Sequence, residues 1–308
     1  MSLSPFDAFM KHYKDFSDFL AEHFRCKMQK LSVDAGFSCP NRDGTVGTGG
    51  CTYCNNLSFS PGYCRPVKGV AGQLEEGKRF FARKYPAMRY LAYFQSYTST
   101  HSADIGRLMD MYHEACAVDG VDGVIIGTRP DCMPDALLER LGTLPWVMVE
   151  YGAESSHDAT LARVNRCHTW ADTADAVRRT HAAGIPCGLH IINGLPGEDE
   201  AMMLATVDAV NALPVDVVKF HQLQLIRGTR MAADVGSGLY DVTRFTPESY
   251  ARLCAAIVKR LRPDIAIERF VSQSPPELLI YPRWGLKNYQ FTDIVNKEIE
   301  RAGSLLNS

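Results

Sequence analysis

A chain of 308 residues with a formal net charge of -2, 22% charged and 46% hydrophobic residues has an ordinary globular make-up, with enough apolar residues for a sizeable core. No basic run announces a nucleic-acid surface, and no apolar run approaches the ~20 residues of a membrane span. The opening "MSLSPFDAFMKHYKDFSDFLAEHF" lacks the apolar stretch of a signal peptide, so a cytoplasmic protein with no membrane partner is expected.

In chain order, helical spacing over 7–24 predicts one or two lead-in helices. Strand-like runs then recur at 30–35, 90–95, 123–128, 146–153, 187–192 and 217–224, separated by helical stretches at 71–85, 103–117, 134–141, 170–183 and 198–213. Gly184 before Ile185-Pro186 reads as a helix stop feeding a strand, and Pro214 plays a similar part. Strict alternation of strand and helix implies an α/β fold with a parallel sheet and right-handed crossovers, open or rolled into part of a barrel. No internal repeat, low-complexity run or linker divides the chain.

In such barrels the ligands sit where the βα loops gather, at the C-terminal ends of the strands. The polar clusters fall there: "FQSYTSTH", "TRPD", "EYGAES", "HIINGLPGE" and "KFHQLQ" follow or end successive strands. The stretch after the first strand, "KLSVDAGFSCPNRDGTVGTGGCTYCNNLSFSPGYC", carries Cys39, Cys51 and Cys54 with eleven and then two intervening residues. Gly44, Gly47, Gly49 and Gly50 allow that loop to close around whatever the sulfurs hold. Three thiolates on a [4Fe-4S] cluster, which normally takes four, leave one iron open. Adding Cys64 would instead give a closed structural zinc site, since spacing specifies ligand geometry and not the metal. Ten cysteines at scattered positions, without a secretion signal, read as reduced thiols and not as a disulfide framework.

The three-cysteine loop taken together with "EYGAES", "RVNRCH" and "HIINGLPGE" resembles the radical SAM superfamily. The phrase "KLSVDAGFSCPNRDG" resembles, more narrowly, the uncharacterised YhcC family, related to the catalytic subunit of elongator. The likeness runs from about Tyr13 to Trp284. It implies a partial (βα)6 TIM-like barrel with N-terminal helices and a C-terminal barrel-closing extension. The corresponding divisions are 1–29, 30–230 and 231–308, forming a single structural unit.

The same resemblance implies a [4Fe-4S] cluster on Cys39, Cys51 and Cys54, with S-adenosylmethionine (SAM) on the open iron. Reductive cleavage of SAM would give a 5'-deoxyadenosyl radical that abstracts hydrogen from a substrate. Gln95, Ser96 and Tyr97 stand where the superfamily contacts the methionine amine. Glu154 and Ser155 stand where it contacts the ribose or methionine, Glu154 replacing the usual Gln. Arg166 matches an Arg that holds the methionine carboxylate, while Cys167 replaces the Gly usual in "NRGH" before His168. His190 matches a ribose contact, and Ile192 with the "NGLPGE" turn would pack the adenine. The implied partners are a low-potential donor such as flavodoxin or ferredoxin and, through the elongator kinship, a tRNA nucleoside as candidate substrate. Thr98, His101, Arg129, Asp131, His221, Gln224 and Arg269 are further polar groups expected near the cavity. The alternative function is a zinc-stabilised, non-catalytic binding module built on Cys39, Cys51, Cys54 and Cys64.

Overall fold

The computed structural model describes residues 12–82, 87–101 and 104–304. The predicted helical positions 7–11, 83–85 and 103 lie outside them. Strands β1 (Met28–Val33), β2 (Arg89–Phe94), β3 (Val121–Thr128), β4 (Val147–Glu154), β5 (Cys187–Asn193) and β6 (Val217–Gln222) pair in that order, all parallel. After β6 comes a short β7 (Leu225–Ile226), then β8 (Ala266–Arg269), which adds a seventh parallel strand beside β6, and β9 (Leu279–Tyr281), which pairs antiparallel with β7. The sheet is a curled half-barrel, the α/β fold that the alternation implied. Its seventh strand lies in a run that the sequence reading gave to a terminal extension.

The helices follow the same alternation. A short α1 (Phe16–His23) precedes the sheet, and α2 (Gly69–Ala82), α3 (Ile105–Ala117), α4 (Asp135–Leu141), α5 (Asp158–Arg163), α6 (Trp170–Ala182) and α7 (Glu200–Asn211) fill the crossovers. Beyond β7 come α8 (Arg230–Gly236), α9 (Pro247–Arg260) and α10 (Asn288–Ser304). Among the described residues, no helix is long and apolar enough to cross a membrane.

Every residue of β4 is buried, as expected of a central parallel strand covered on both faces. Alternate side chains serve two cores. Ala92, Val124, Val149, Leu189 and Val218 pack under the helices, whereas Leu91, Tyr93, Ile125, Met148, Val217 and Ala266 fill the inside of the curl. Phe19 and Leu20 of α1 belong to that inner cluster, with Phe16 packed against it, so the lead-in helix plugs the barrel floor. Asp15 caps α1 in a box with Asp18, and its backbone forms a parallel bridge to Ile267 of β8.

Among the described residues, β1 and β8 are the two unpaired ends of the sheet, and charged side chains join them instead. Lys30 Nζ lies 2.5 Å from Glu268 Oε2 and 2.5 Å from Glu150 Oε1, while Lys219 Nζ lies 2.9 Å from Glu150 Oε2 and 3.1 Å from Glu268 Oε1. Four strands are thereby tied through one buried square of charge. Burial alone would push the Glu150 carboxyl up, but Lys219, Lys30 and His190 hold it well below the usual carboxylate range. A buried ion whose partner is removed is costly, because the survivor stays desolvated. Glu150→Gln is therefore expected to destabilise the protein by about 3–5 kcal/mol in urea unfolding at pH 7. A loss below about 1 kcal/mol would mean that the square does not hold the barrel together.

Candidate functional site

One cavity opens at the C-terminal ends of the strands, and its wall is assembled from the loop after β1 round to Arg269 of β8. Cys39, Cys51 and Cys54 line it together with Gln95, Tyr97, Arg129, Glu154, Arg166, His190, Ile192, His221 and Arg269. Cys39 and Cys51 are buried and Cys54 is half-buried. Burial and the neighbouring Cys51 push the Cys54 thiol up to about 11, so a metal bound there must displace a proton. Among the described residues, no three His, Cys, Asp or Glu side chains are grouped as a single-ion site would require.

Cys64 is absent from the cavity wall. Its thiol donates to the Ser32 carbonyl at 3.0 Å, and burial beside Asp34 pushes it up to about 12. The four-cysteine zinc arrangement therefore has no geometric support.

The cysteine loop is strapped to the "VNRCH" turn at the end of α5. Thr52 N–H donates to Val164 O at 3.0 Å, and the Asn165 amide donates to Thr48 O at 3.1 Å and Gly50 O at 2.8 Å. Asn41, fully buried, reaches back to the Asn165 carbonyl and lies 3.6 Å from Cys51 Sγ. Gly47 makes that contact possible, since a Cβ there would stand 2.3 Å from Asn41 Oδ1. Asn165 and Cys167 both sit in the left-handed region, at φ 56° and 60°. Asn adopts that conformation readily, whereas Cys at a position that suits Gly is held there by the contacts around it, including its thiol's bond to Asn41 Oδ1 at 3.1 Å.

The turn aims Arg166 into the cavity. Nη1 donates to Cys51 Sγ at 3.4 Å, Nη2 donates to Gly152 O at 2.5 Å, and Glu154 Oε1 lies 3.5 Å away. Space for this comes from Gly152, where a Cβ would meet Arg166 Nη2 at 2.5 Å and Glu154 Oε1 at 2.7 Å. Glu154 itself has φ 68°, at a register shift between β4 and β5 that turns its carboxylate inward.

The other predicted residues divide. Gln95 lines the cavity, its amide donating to Ser32 Oγ at 2.8 Å and Phe59 O at 3.2 Å. Tyr97, at φ 57°, stands at the mouth under the Arg42 guanidinium, 5.6 Å from the ring centre. Ser96 is buried and outside the wall, as is Ser155, whose hydroxyl donates to the Glu198 carboxylate. His190 Nε2 is 2.8 Å from Glu150 Oε2, which joins the cavity to the charge square beneath it. His168 lies outside the wall, between the Thr169 and Gly152 carbonyls at 3.2 Å each. Tyr281 and Trp284 pack a cap, both bonded to the Phe245 carbonyl, while Tyr289 stays exposed.

Residues 43–210 match the radical SAM superfamily and residues 215–301 match the Radical_SAM C-terminal domain. This chain belongs to the radical SAM superfamily. It is 36% identical to Protein YhcC of Escherichia coli over 275 residues, covering 87% of this chain and 86% of that protein. A more distant relative is the tRNA uridine(34) acetyltransferase of Methanocaldococcus jannaschii, 25% identical over 181 residues, which are 58% of this chain and 32% of that one. The structure of Methanocaldococcus infernus Elp3 superposes with a TM-score of 0.67 at 15% identity, over 90% of this chain and 64% of that chain. The protein is thus a radical SAM enzyme, and such enzymes as a family use a [4Fe-4S] cluster, SAM and a reductant.

The radical SAM groups fit the residues present. Tyr53 Oη, Thr98 Oγ1, Arg166 Nε and Arg269 Nε are buried without a hydrogen-bond partner, and all four belong to residues of the cavity wall. Buried polar atoms are nearly always satisfied in folded proteins, so four orphans around one cavity mark the place of a polar ligand. Sequence reasoning singled out neither Tyr53 nor Asn41. Tyr53 was legible as the aromatic residue inside "CTYC", but Asn41 gave no signal, since its role comes from contacts 124 residues away.

Burial and Arg166 lower His168 to about 3, and burial with Arg269 holds His221 well below its ordinary value, so both rings are neutral in the fold. Unfolding near pH 5 lets each take up a proton that the native state excludes, so stability falls as pH drops below about 6.5. Linkage predicts net proton uptake on unfolding between pH 6 and 5, to which His190, also lowered by burial, adds, read from the pH dependence of urea stability. A flat profile there would show that these rings titrate normally.

Proposed function

We propose that Cys39, Cys51 and Cys54 mount the cluster and that SAM lies across the same cavity. The observation that carries this reading is the meeting of the three thiols with Arg166, Glu154, Gln95, His190 and Ile192 on one wall that omits Cys64. When bound and reduced by one electron, these groups supply cleavage of the sulfonium to a 5'-deoxyadenosyl radical, and with it hydrogen abstraction from a substrate.

The chain's own residues place and shelter that chemistry. Arg166 offers an unpaired Nε–H beside Cys51, suited to a carboxylate held next to the metal. Glu154, drawn inward by its left-handed backbone, accepts hydrogen bonds from an ammonium or from sugar hydroxyls. Gln95 contributes its side-chain oxygen, since its nitrogen is already engaged by Ser32 and Phe59. Ile192 supplies an apolar face, and His190, fixed as a donor to Glu150, keeps its other ring nitrogen as an acceptor. Ser96 and Ser155 act through the backbone they shape, because neither side chain reaches the cavity.

A low-potential donor such as flavodoxin or ferredoxin supplies the electron, in a cytoplasmic setting. For the substrate we favour a tRNA nucleoside. The likeness to a tRNA uridine(34) acetyltransferase supports it, as does the mouth, where Tyr97 (40% exposed) and Phe59 (38% exposed) stand beside Arg42 as stacking surfaces for a splayed base. Incubation with SAM and dithionite under nitrogen, followed by a search for 5'-deoxyadenosine and for a mass change in bulk tRNA, tests both parts. Deoxyadenosine that forms equally with and without tRNA, with no changed nucleoside, would remove tRNA as the substrate.

Cys39→Ala, Cys51→Ala and Cys54→Ala should each abolish loading of about four irons per chain, whereas Cys64→Ala should load fully. Loss of iron in Cys64→Ala would show that the wrong thiols are assigned. Arg166→Ala and Gly152→Ala should keep the iron but weaken SAM binding by about tenfold or more, consistent with loss of one charge-assisted contact. Unchanged affinity in both variants would take Arg166 out of the SAM site.

A further inference from the structure

The charge square beneath the cavity is balanced, with Lys30 and Lys219 against Glu150 and Glu268. Arg269 stands next to it, paired in register with Lys219, and adds a cation that no carboxylate answers among the described residues. Its Nη2 donates to His221 Nδ1 at 3.4 Å, and its Nε is buried with no partner. Accepting at Nδ1 leaves the neutral His221 ring with its proton on Nε2, a second donor on the same wall.

The neighbouring amides are already committed. Gln222 exchanges hydrogen bonds with the Ser272 backbone at 3.0 and 3.2 Å, and Gln224 donates to Ser272 O at 3.0 Å while accepting from Ser274 Oγ at 2.6 Å. These glutamines build the wall and, being committed to backbone and Ser274, leave the buried Nε of Arg269 without a partner among the described residues. Arg269 is half-buried, but its Nε–H is shut off from water and unpaired, a cost that an acceptor on that edge would remove, and a guanidinium edge fits a two-oxygen anion.

We propose that Arg269, with His221 as second donor, forms a substrate subsite for an anionic group, a carboxylate or a phosphate, separate from the carboxylate contact assigned to Arg166. This rests on the radical SAM reading, and it adds that the molecule placed before the radical carries a negative charge anchored on β8. The class covers a nucleotide phosphate as well as an acidic substituent.

The test uses the full chain as isolated. Its thermal midpoint is followed against acetate and against inorganic phosphate, at ionic strength fixed with chloride, in wild type and in Arg269→Gln. Binding to the native state raises the midpoint with anion concentration, and a rise about 2 °C larger in wild type than in Arg269→Gln at 100 mM anion is expected. A larger rise with acetate alone assigns a carboxylate, with phosphate alone a phosphate, and with both the shared site. Equal rises in wild type and variant overturn the subsite, because they reflect only the general effect of salts on burial. Should Arg269→Gln not fold, Arg269→Lys keeps the charge but not the two-donor edge, and a response equal to wild type would overturn the proposal. Iron loading and SAM cleavage by the wild type are read separately, so failure of the radical chemistry would be distinguished from failure of the anion site.

Discussion

The constraint on which the rest depends is the placement of Glu150 between Lys30 and Lys219. A seven-stranded parallel sheet that stops short of a full barrel has two edges left to manage. Here the edges β1 and β8 are drawn together by side chains, with α1 as an apolar plug below them. The curl this produces brings loops from opposite ends of the sheet to a common cavity. Cysteines that follow β1 and an arginine at the end of β8 can then face one ligand space.

His190 carries the square into the working face. It donates to Glu150 below and lines the cavity above, so its tautomer is set by the same carboxylate that closes the barrel. Architecture and chemistry share an atom. The radical SAM assignment gives that arrangement its purpose, since a radical that takes almost any nearby hydrogen needs a rigid and dry surrounding.

Much of this was legible in the sequence. The strand runs were long, apolar and bounded by turns, and their ends carried the polar motifs, so the parallel α/β sheet and the face where its polar loops gather followed from pattern, while the resemblance supplied the partial barrel. What escaped was set by distant contacts. Strand β8 ends in Glu268 and Arg269; the sequence reading placed Arg269 near the cavity, but nothing in it joined Glu268 to Lys30 and Lys219, which the fold brings beside it from 238 and 49 positions away. Ser155 follows a carboxylate that enters the cavity, yet its own hydroxyl turns away because Glu198, on the next crossover, accepts from it. Cys64 follows the other thiols at a ligand-like interval, and only the path of the loop, which delivers it to the Ser32 carbonyl, removes it from their company.

The strap between Asn41, Asn165 and the backbone at Thr48 and Gly50 makes the thiol-bearing loop and the arginine-bearing turn a single mechanical body. A displacement of either is consequently passed to the other, so whatever loosens the loop around Cys51 also shifts the aim of the Arg166 guanidinium.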